Sequence, residues 1–359
     1  MFKSLSIERF RGIREGTVPD LKQVSLFVGP NNSGKSTVLD ALLLASHGLS
    51  PQDTLGRDKL GVLMERHSMP TGAGDASTLP LWHAYKRDHD IVVKADFVRG
   101  APLTFLLSSE GGSWIGFEAG NNQVYALVYK GLRPSPGNAY LFPRVVHGGR
   151  SAPQVTALPP SLEGSMRSVS FIRDAILVDA DFRRKALVEQ RLWDRLTIDR
   201  RDKLLTQMLR EVYGMEVENL TYTPSMNGNE LVILLPKGRV RVDDLGDGAR
   251  YFVRMLMVLS LLNDTTLLLE EPETAHHCRA QADITRWIVR TAKERNIQVL
   301  ATTHSLEAVD HFLAACTEHS VEFGLHHTEL KDGVLTCRGV DRNDARVLMD
   351  MGVDPRCAA

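Results

Sequence analysis

The segment Gly29-Pro30-Asn31-Asn32-Ser33-Gly34-Lys35-Ser36 places a glycine, four residues, then Gly-Lys-Ser between an apolar run and a helical one. Glycine backbone can curl its N–H groups around an anion, and the helix starting near Gly34 adds the positive end of its dipole. At this spacing Lys35 reaches the β- and γ-phosphates of a nucleotide, the Ser36 hydroxyl is a ligand for Mg2+, and Thr37 contacts the α-phosphate. The competing reading is a glycine-rich turn with an exposed lysine; a strand before and a helix after favour the phosphate loop.

Two more stretches put reactive groups at strand ends. In "TTLLLEEPETAHH" a buried strand delivers acids at its carboxyl end, where ligands bind in open α/β sheets. Glu270 would hold Mg2+ through water, and Glu271, one residue on, would polarise an attacking water. In "IQVLATTHS" another strand ends at His304, placed either to read a γ-phosphate or to serve the fold. "VDDLGDGARYFVRMLMVLSLL" sets Gly246 and Gly248 around Asp247 just before a long apolar helix. That is a second helix N-terminus and a second anion site, or an ordinary cap using Asp247. One chain does not need two such ends for one γ-phosphate, unless a second copy supplies the other.

The elements that position these residues follow from periodicity. "FKSLSIERFRGI" alternates, "QVSLFVG" is a short buried strand, and "STVLDALLLAS" is apolar on almost every face, so that helix is enclosed. Residues 48–88 are irregular, with room for one helical piece. "DIVVKADFVRG", "PLTFLLSS", "SWIGFEA" and "QVYALVYKG" read as antiparallel strands joined by glycine-rich turns, followed by a Pro/Gly-rich loop over 131–165. A charged helical stretch spans 181–213, then come two or three strands. Beyond them a helix over 249–262, the Glu270 strand, a helix over 275–295, the His304 strand and a helix from Ser305 restore an α/β rhythm. Weak strands and a ragged tail close the chain.

Bulk composition narrows the classes. With 43 Lys and Arg against 44 Asp and Glu, the formal charge is −1, so nucleic acid binding would require a local basic patch. In "DADFRRKALVEQRLWDRLTIDRRDKLL", Arg183, Arg184, Lys185 and Arg191 are such a patch, or one side of a solvated helical face with internal ion pairs. Cys278, Cys316, Cys337 and Cys357 show no CxxC spacing and read as reduced thiols. The pairs His276-His277 and His326-His327 lack a second half-site, so no metal other than Mg2+ is expected. The N-terminus is neither a signal nor a transit peptide, and no apolar run approaches the roughly 18–20 residues of a membrane span. A cytoplasmic protein without membrane contact is expected.

Taken in order, these motifs resemble the ATP-binding-cassette ATPases of the non-transporter branch: SMC-like, RecF-like and, most closely, the overcoming-lysogenization-defect (OLD)-like ATPases. "IERFRGIREG…VSLFVGPNNSGKST" looks like that family's first strands and Walker A, "LGDGAR" like its signature, "LLLEEPE" like its Walker B with catalytic Glu271, and "ATTHS" like its switch histidine. The resemblance implies an α/β P-loop NTPase of ABC-ATPase type with an antiparallel β subdomain and an inserted helical lobe. Residues 1–170 would form the N-terminal part of the core with that subdomain, 171–245 the lobe and connecting strands, 246–340 the C-terminal part of the core, and 341–359 a tail. It implies ATP and Mg2+ as ligands, and a head-to-head homodimer with two ATPs sandwiched between Walker A of one chain and residues 246–248 of the other. The expected function is an ATPase acting as a nucleotide-driven dimer switch in DNA repair or phage defence. The alternative is an ATP-locked scaffold of little turnover that captures DNA or an effector or nuclease partner chain. No guanine-reading Asn-Lys-x-Asp or Thr-Lys-x-Asp is present, which disfavours a GTPase, and no second substrate pocket is written for a small-molecule kinase.

Three departures stand out. After Walker B the family often reads EPE-x-H-L-H-P; here "EPETAHHC" keeps His277 but not the residues at Ala275 and Cys278. The Q-loop glutamine is missing from the equivalent stretch, "SVSFIRDA", where Arg173 stands near its place. Residues 305–359 leave no room for the Toprim nuclease of many OLD proteins, so a nuclease would be another chain.

Overall fold

The runs "VSLFV", "TLLLE" and "QVLAT" do not alternate, which a strand tolerates when both of its faces are covered. The computed structural model describes residues 1–356 apart from 51, 68–79, 87, 100–101, 108–112, 120–121, 130–143, 147–153, 156–173, 180–181, 183–185, 214–215, 226–227 and 276–277. The chain opens with β1 (Phe2–Phe10), β2 (Ile13–Val18) and β3 (Val24–Val28), then α1 (Lys35–Leu49) and α2 (Lys59–Arg66). Next come β4 (Ile91–Phe97), β5 (Leu103–Leu107), β6 (Ser113–Ala119), β7 (Asn122–Tyr129) and the short β8 (Arg144–Val146) and β9 (Gln154–Val155). After β10 (Ile176–Val178) follow α3 (Ala186–Ile198), α4 (Asp202–Tyr213), β11 (Asn219–Ser225), β12 (Gly228–Leu235) and β13 (Gly238–Arg241). The last third is α5 (Asp247–Leu261), β14 (Thr266–Glu270), α6 (Cys278–Glu294), β15 (Gln298–Thr302), α7 (Leu306–Glu318), β16 (Phe323–Lys331), β17 (Val334–Asp341) and α8 (Arg342–Asp350).

Among the described residues one sheet runs in the order β10-β14-β15-β3-β16-β17-β2-β1-β4-β5-β6-β7-β8-β9, and β11-β12-β13 form a second. From β10 through β16 the neighbours are parallel, and from β2 outward through β9 they are antiparallel. This is the α/β architecture with an antiparallel extension that the sequence predicts. Side-chain alternation splits the parallel half between two cores. Val24, Leu26, Val28, Leu267, Leu269, Val299 and Ala301 face the core built with α5, α6 and α7. Phe27, Leu268, Leu300 and Leu177 face the core built with α1 and the antiparallel strands. Covering both faces removes the polar alternation that a half-exposed strand would show.

The C-terminal elements are firmer than their sequence suggests. β16 pairs with β3 on one side and β17 on the other, so a polar, histidine-bearing strand sits inside the sheet. The ragged tail is corrected over Arg342–Asp350, where a helix forms because the Asp341 carboxylate accepts from the N–H groups of Asn343 and Asp344. Of the charged stretch, Arg183, Arg184 and Lys185 lie outside the described residues, as do His276, His277 and Arg173. No helix among the described residues is long and apolar enough to cross a membrane.

Candidate nucleotide site

Strand order brings the separate motifs to one edge. β10, β14, β15 and β3 are parallel neighbours, and their carboxyl ends release Asp179, Glu270-Glu271, Thr303-His304 and the 29–36 loop in turn. The register pairs Val178 with Leu269, Glu270 with Thr302 and Thr302 with Phe27, so Asp179 and Glu270 stand level and the loop begins two residues further on. Two strand spacings, about 10 Å, separate the Glu270 strand from the loop's strand.

The loop turns at Gly29 and Gly34, whose φ values are 138° and 92°; Asn32 also takes a left-handed conformation at 61°. A Cβ on Gly29 would lie 2.4 Å from the carbonyl oxygen of Thr328, so only glycine fits against β16. Ser33 is buried, and its Oγ lies 2.9 Å from Thr328 Oγ1, which ties the loop to the strand behind it. Asn31 and Asn32 are exposed, and Ser36 and Thr37 are half-buried. Gly34 caps α1 without a side-chain hydrogen bond, and the helix has no acid in its first turn. Its N–H groups are thus not covered by a side chain of its own cap, which suits an anion.

The Lys35 ammonium folds over the loop, donating to the carbonyls of Gly29 (2.9 Å) and Pro30 (2.8 Å). Burial lowers its pKa, and the nearby Glu271 charge opposes that shift. A cation held at only 5% exposure over an uncapped helix end fits the phosphates of a nucleotide.

Glu271 has left its strand in a left-handed conformation (φ 44°), held by donation from its N–H to the Thr302 carbonyl at 3.0 Å. Its carboxylate is partly exposed and lies 3.6 Å from His304 Nε2. Strain of this kind in a non-glycine residue is kept where the fold needs a side chain aimed at one point. Glu273, to which the sequence reading assigned no role, braces the histidine: its Oε1 accepts from Thr303 Oγ1 at 2.6 Å and from the His304 N–H at 3.1 Å. The His304 carbonyl in turn accepts from Arg356.

Glu270 carries its own cation. Arg66, at the end of α2, donates from Nη1 to Glu270 Oε2 (2.6 Å) and from Nη2 to Oε1 (3.0 Å), while Nη1 also reaches Asp179 Oδ2 (2.7 Å) and Nε reaches Asp40 Oδ1 (3.1 Å). Asp40, on α1, is fully buried and also accepts from Arg11 and His67. Burial pushes the Asp40 pKa up, but the His67 hydrogen bond and the Arg66 and Arg11 charges hold it below the usual carboxylate value. For Arg66 burial works the other way, and the three carboxylates outweigh it, raising its pKa. A lone acid inside the apolar "STVLDALLLAS" was the signal available in sequence for this cluster. Asp179 occupies the carboxyl end of the strand beside Walker B. The hydroxyl of Ser36 and the carboxylate of Glu270 are hard oxygen donors of the sort Mg2+ takes, and the guanidinium already stands as a cation on Glu270.

Gly246 precedes α5 with nothing within 4 Å of an added Cβ, and Gly248 lies in the first turn of the helix. The structure places this turn at the start of α5, downstream of the β11–β13 sheet.

Residues 1–69 match the family described as "AAA ATPase domain", and residues 179–310 match "AAA domain, putative AbiEii toxin, Type IV TA system". Over 78 residues, 22% of the chain, it is 28% identical to an uncharacterized protein of Methanocaldococcus jannaschii, 68% of which is covered. Over 44 residues, 12% of the chain, it is 43% identical to another uncharacterized protein of that organism, with 20% of that protein covered. Among solved structures, an Smc head bound to the C-winged helix domain of ScpA aligns over 96% of this chain and 99% of its own, at 13% identity and a TM-score of 0.55. An Smc head with an extended coiled coil, bound to the C-terminal domain of ScpA derived from Pyrococcus furiosus, aligns over 98% of each chain at 11% identity and a TM-score of 0.52. At such identities the likeness is one of fold. One matched segment carries the phosphate loop and the other carries Glu270, Glu271 and His304, and the fold joins them at one sheet edge: both segments are similar to AAA ATPase domains, on the P-loop NTPase fold of the Smc heads.

Proposed function

We propose that the chain hydrolyses ATP and that hydrolysis resets a dimer in which residues 246–248 of one copy close on the phosphate loop of the other. The observation that supports this best is the convergence of Lys35, Glu271 and His304 on the carboxyl edge of β3, β14 and β15. The loop N–H groups and Lys35 offset the charge of the phosphates; Asn31, Asn32, Ser33 and Thr37 shape the cradle. Glu271 orients a water and takes its proton as the water oxygen bonds to the γ-phosphorus and the bond to the β-phosphate oxygen breaks. His304, steadied by Glu273, reads whether the γ-phosphate is present. Bound Mg2+ would draw charge from the phosphate oxygens, and Ser36 and Glu270 are the residues that would hold it, Glu270 through water.

The exposed Gly246 and the exposed Asn31 and Asn32 of the phosphate loop favour a second copy as the closing element. The two Smc heads are each bound to a ScpA domain, which supports a protein partner here, and a DNA or effector partner is the reading carried, in a cytoplasmic setting. The deciding experiment measures the solution mass of Glu271→Gln with and without Mg-ATP, beside wild-type turnover. A shift from monomer to dimer on ATP, with turnover that collapses in the variant, supports the switch. Turnover no faster than the variant's replaces it with an ATP-locked scaffold; a mass that stays monomeric removes residues 246–248 from the site.

A further inference from the structure

Arg66 is not part of the phosphate loop, Walker B or switch motifs, yet its guanidinium takes up both carboxylate oxygens of Glu270. Its side chain is 5% exposed and shares Nη1 between Glu270 and Asp179. Those two carboxylate oxygens therefore lie within about 5 Å of each other, by the sum of the 2.6 and 2.7 Å bonds. Two carboxylates that close repel unless a cation or a shared proton lies between them, and here a side chain supplies the cation. Arg66 has a third carboxylate, Asp40, which also has Arg11 and His67. Withdrawing from Glu270 would thus leave the guanidinium paired with Asp40 and Asp179. It would not leave Asp40 without a cation.

We propose that Arg66 and a divalent cation compete for Glu270, so that binding of Mg-nucleotide frees the end of α2 from Glu270 and leaves it held by Asp40 and Asp179 alone. This rests on the reading of Glu270 as the metal carboxylate. A divalent ion and a guanidinium repel each other, and a water of the ion's shell needs the same carboxylate oxygens that the guanidinium takes up, so both cannot hold Glu270 in the geometry seen here. The bidentate fork makes arginine a stronger competitor than a lysine would be. Asp40 lies on α1, whose first turn carries Lys35 and Ser36, so the same helix that presents the phosphate loop also anchors the latch. Metal occupancy is thereby coupled to α2.

The test is the Mg2+ dependence of binding of a non-hydrolysable ATP analogue, read by calorimetry at fixed analogue concentration. In Arg66→Gln the half-saturating Mg2+ falls on the order of tenfold, the worth of a charge-assisted bidentate pair, and in Arg66→Lys it falls by less. Hydrogen exchange of wild-type residues 59–66 gives a readout that needs no variant: exchange speeds up with analogue plus Mg2+ and not with analogue plus chelator. A wild type with clear Mg2+ dependence, and an Arg66→Gln protein whose half-saturation is unchanged or raised, overturns the competition. Equal exchange with Mg2+ and with chelator overturns it as well. A wild type with no Mg2+ dependence at all overturns the reading of Glu270 itself, which separates the two failures.

Discussion

Thr328 and Ser33 meet hydroxyl to hydroxyl at 2.9 Å, 295 residues apart in the chain. Thr328 also donates to the Val28 carbonyl at 3.2 Å, and its own carbonyl excludes any side chain at Gly29. The phosphate loop is therefore held from behind by β16, a strand that belongs to none of the nucleotide motifs.

Thr328→Val removes the hydroxyl and keeps the shape. ATP affinity should fall roughly fivefold, the worth of one buried hydrogen bond of about 1 kcal/mol, with little change in fold. Titration calorimetry with ATP checks it, and an unchanged affinity would show that the loop keeps its shape without β16.

Glu273 should separate binding from turnover. Its carboxylate accepts from Thr303 Oγ1 and from the His304 N–H. In Glu273→Ala the switch loop loses both contacts. Turnover should drop about tenfold or more while ATP affinity stays within about twofold. A loss of affinity equal to the loss of kcat would mean that Glu273 supports the binding cradle instead.

His326 makes stability depend on pH. It is 1% exposed, packs at 5.5 Å on the Phe27 ring, and lies 3.8 Å from the Cys337 thiol. Burial pushes its pKa down to about 4. The folded protein thus favours the neutral ring, whose unfolded pKa is about 6.5. Its contribution is whole above that value and is lost as pH falls through the window between about 6.5 and about 4, because the unfolded chain then binds a proton that the folded one refuses. Between pH 7 and pH 5 the loss is roughly 2 kcal/mol. Urea midpoints at the two pH values, for wild type and His326→Phe, read this as a difference in slope; equal slopes would remove His326 as the cause.

Much of the site was legible because its signals are contiguous. A glycine, four residues and Gly-Lys-Ser describe a loop by themselves, and an unbroken apolar run ending in acids describes a buried strand whose end faces a ligand. Asp40, a lone acid in a helix read only as enclosed, was not singled out in the sequence. Arg66, its partner, sits 26 residues on, and the Glu270 that Arg66 also holds is 204 residues from it. Glu273 closed the quoted "LLLEEPE" without a role of its own, and only the neighbouring strand's end shows that it braces His304. β16 and β17 looked weak because polar residues and histidines interrupt their alternation, and pairing to β3 overrode that pattern.

The sequence by itself determined the loop that can bend around a phosphate, the strands that must be covered on both faces, and the acids and histidine released at their ends. These depend on backbone freedom and on the burial of neighbouring side chains, which short stretches encode. Tertiary structure alone decided that Asp179 stands beside Glu270, that Thr328 backs the loop, and that one arginine answers three carboxylates. Those outcomes depend on strand order and helix docking, and the desolvation of a buried charge is settled only by whichever distant partner the completed fold brings within reach.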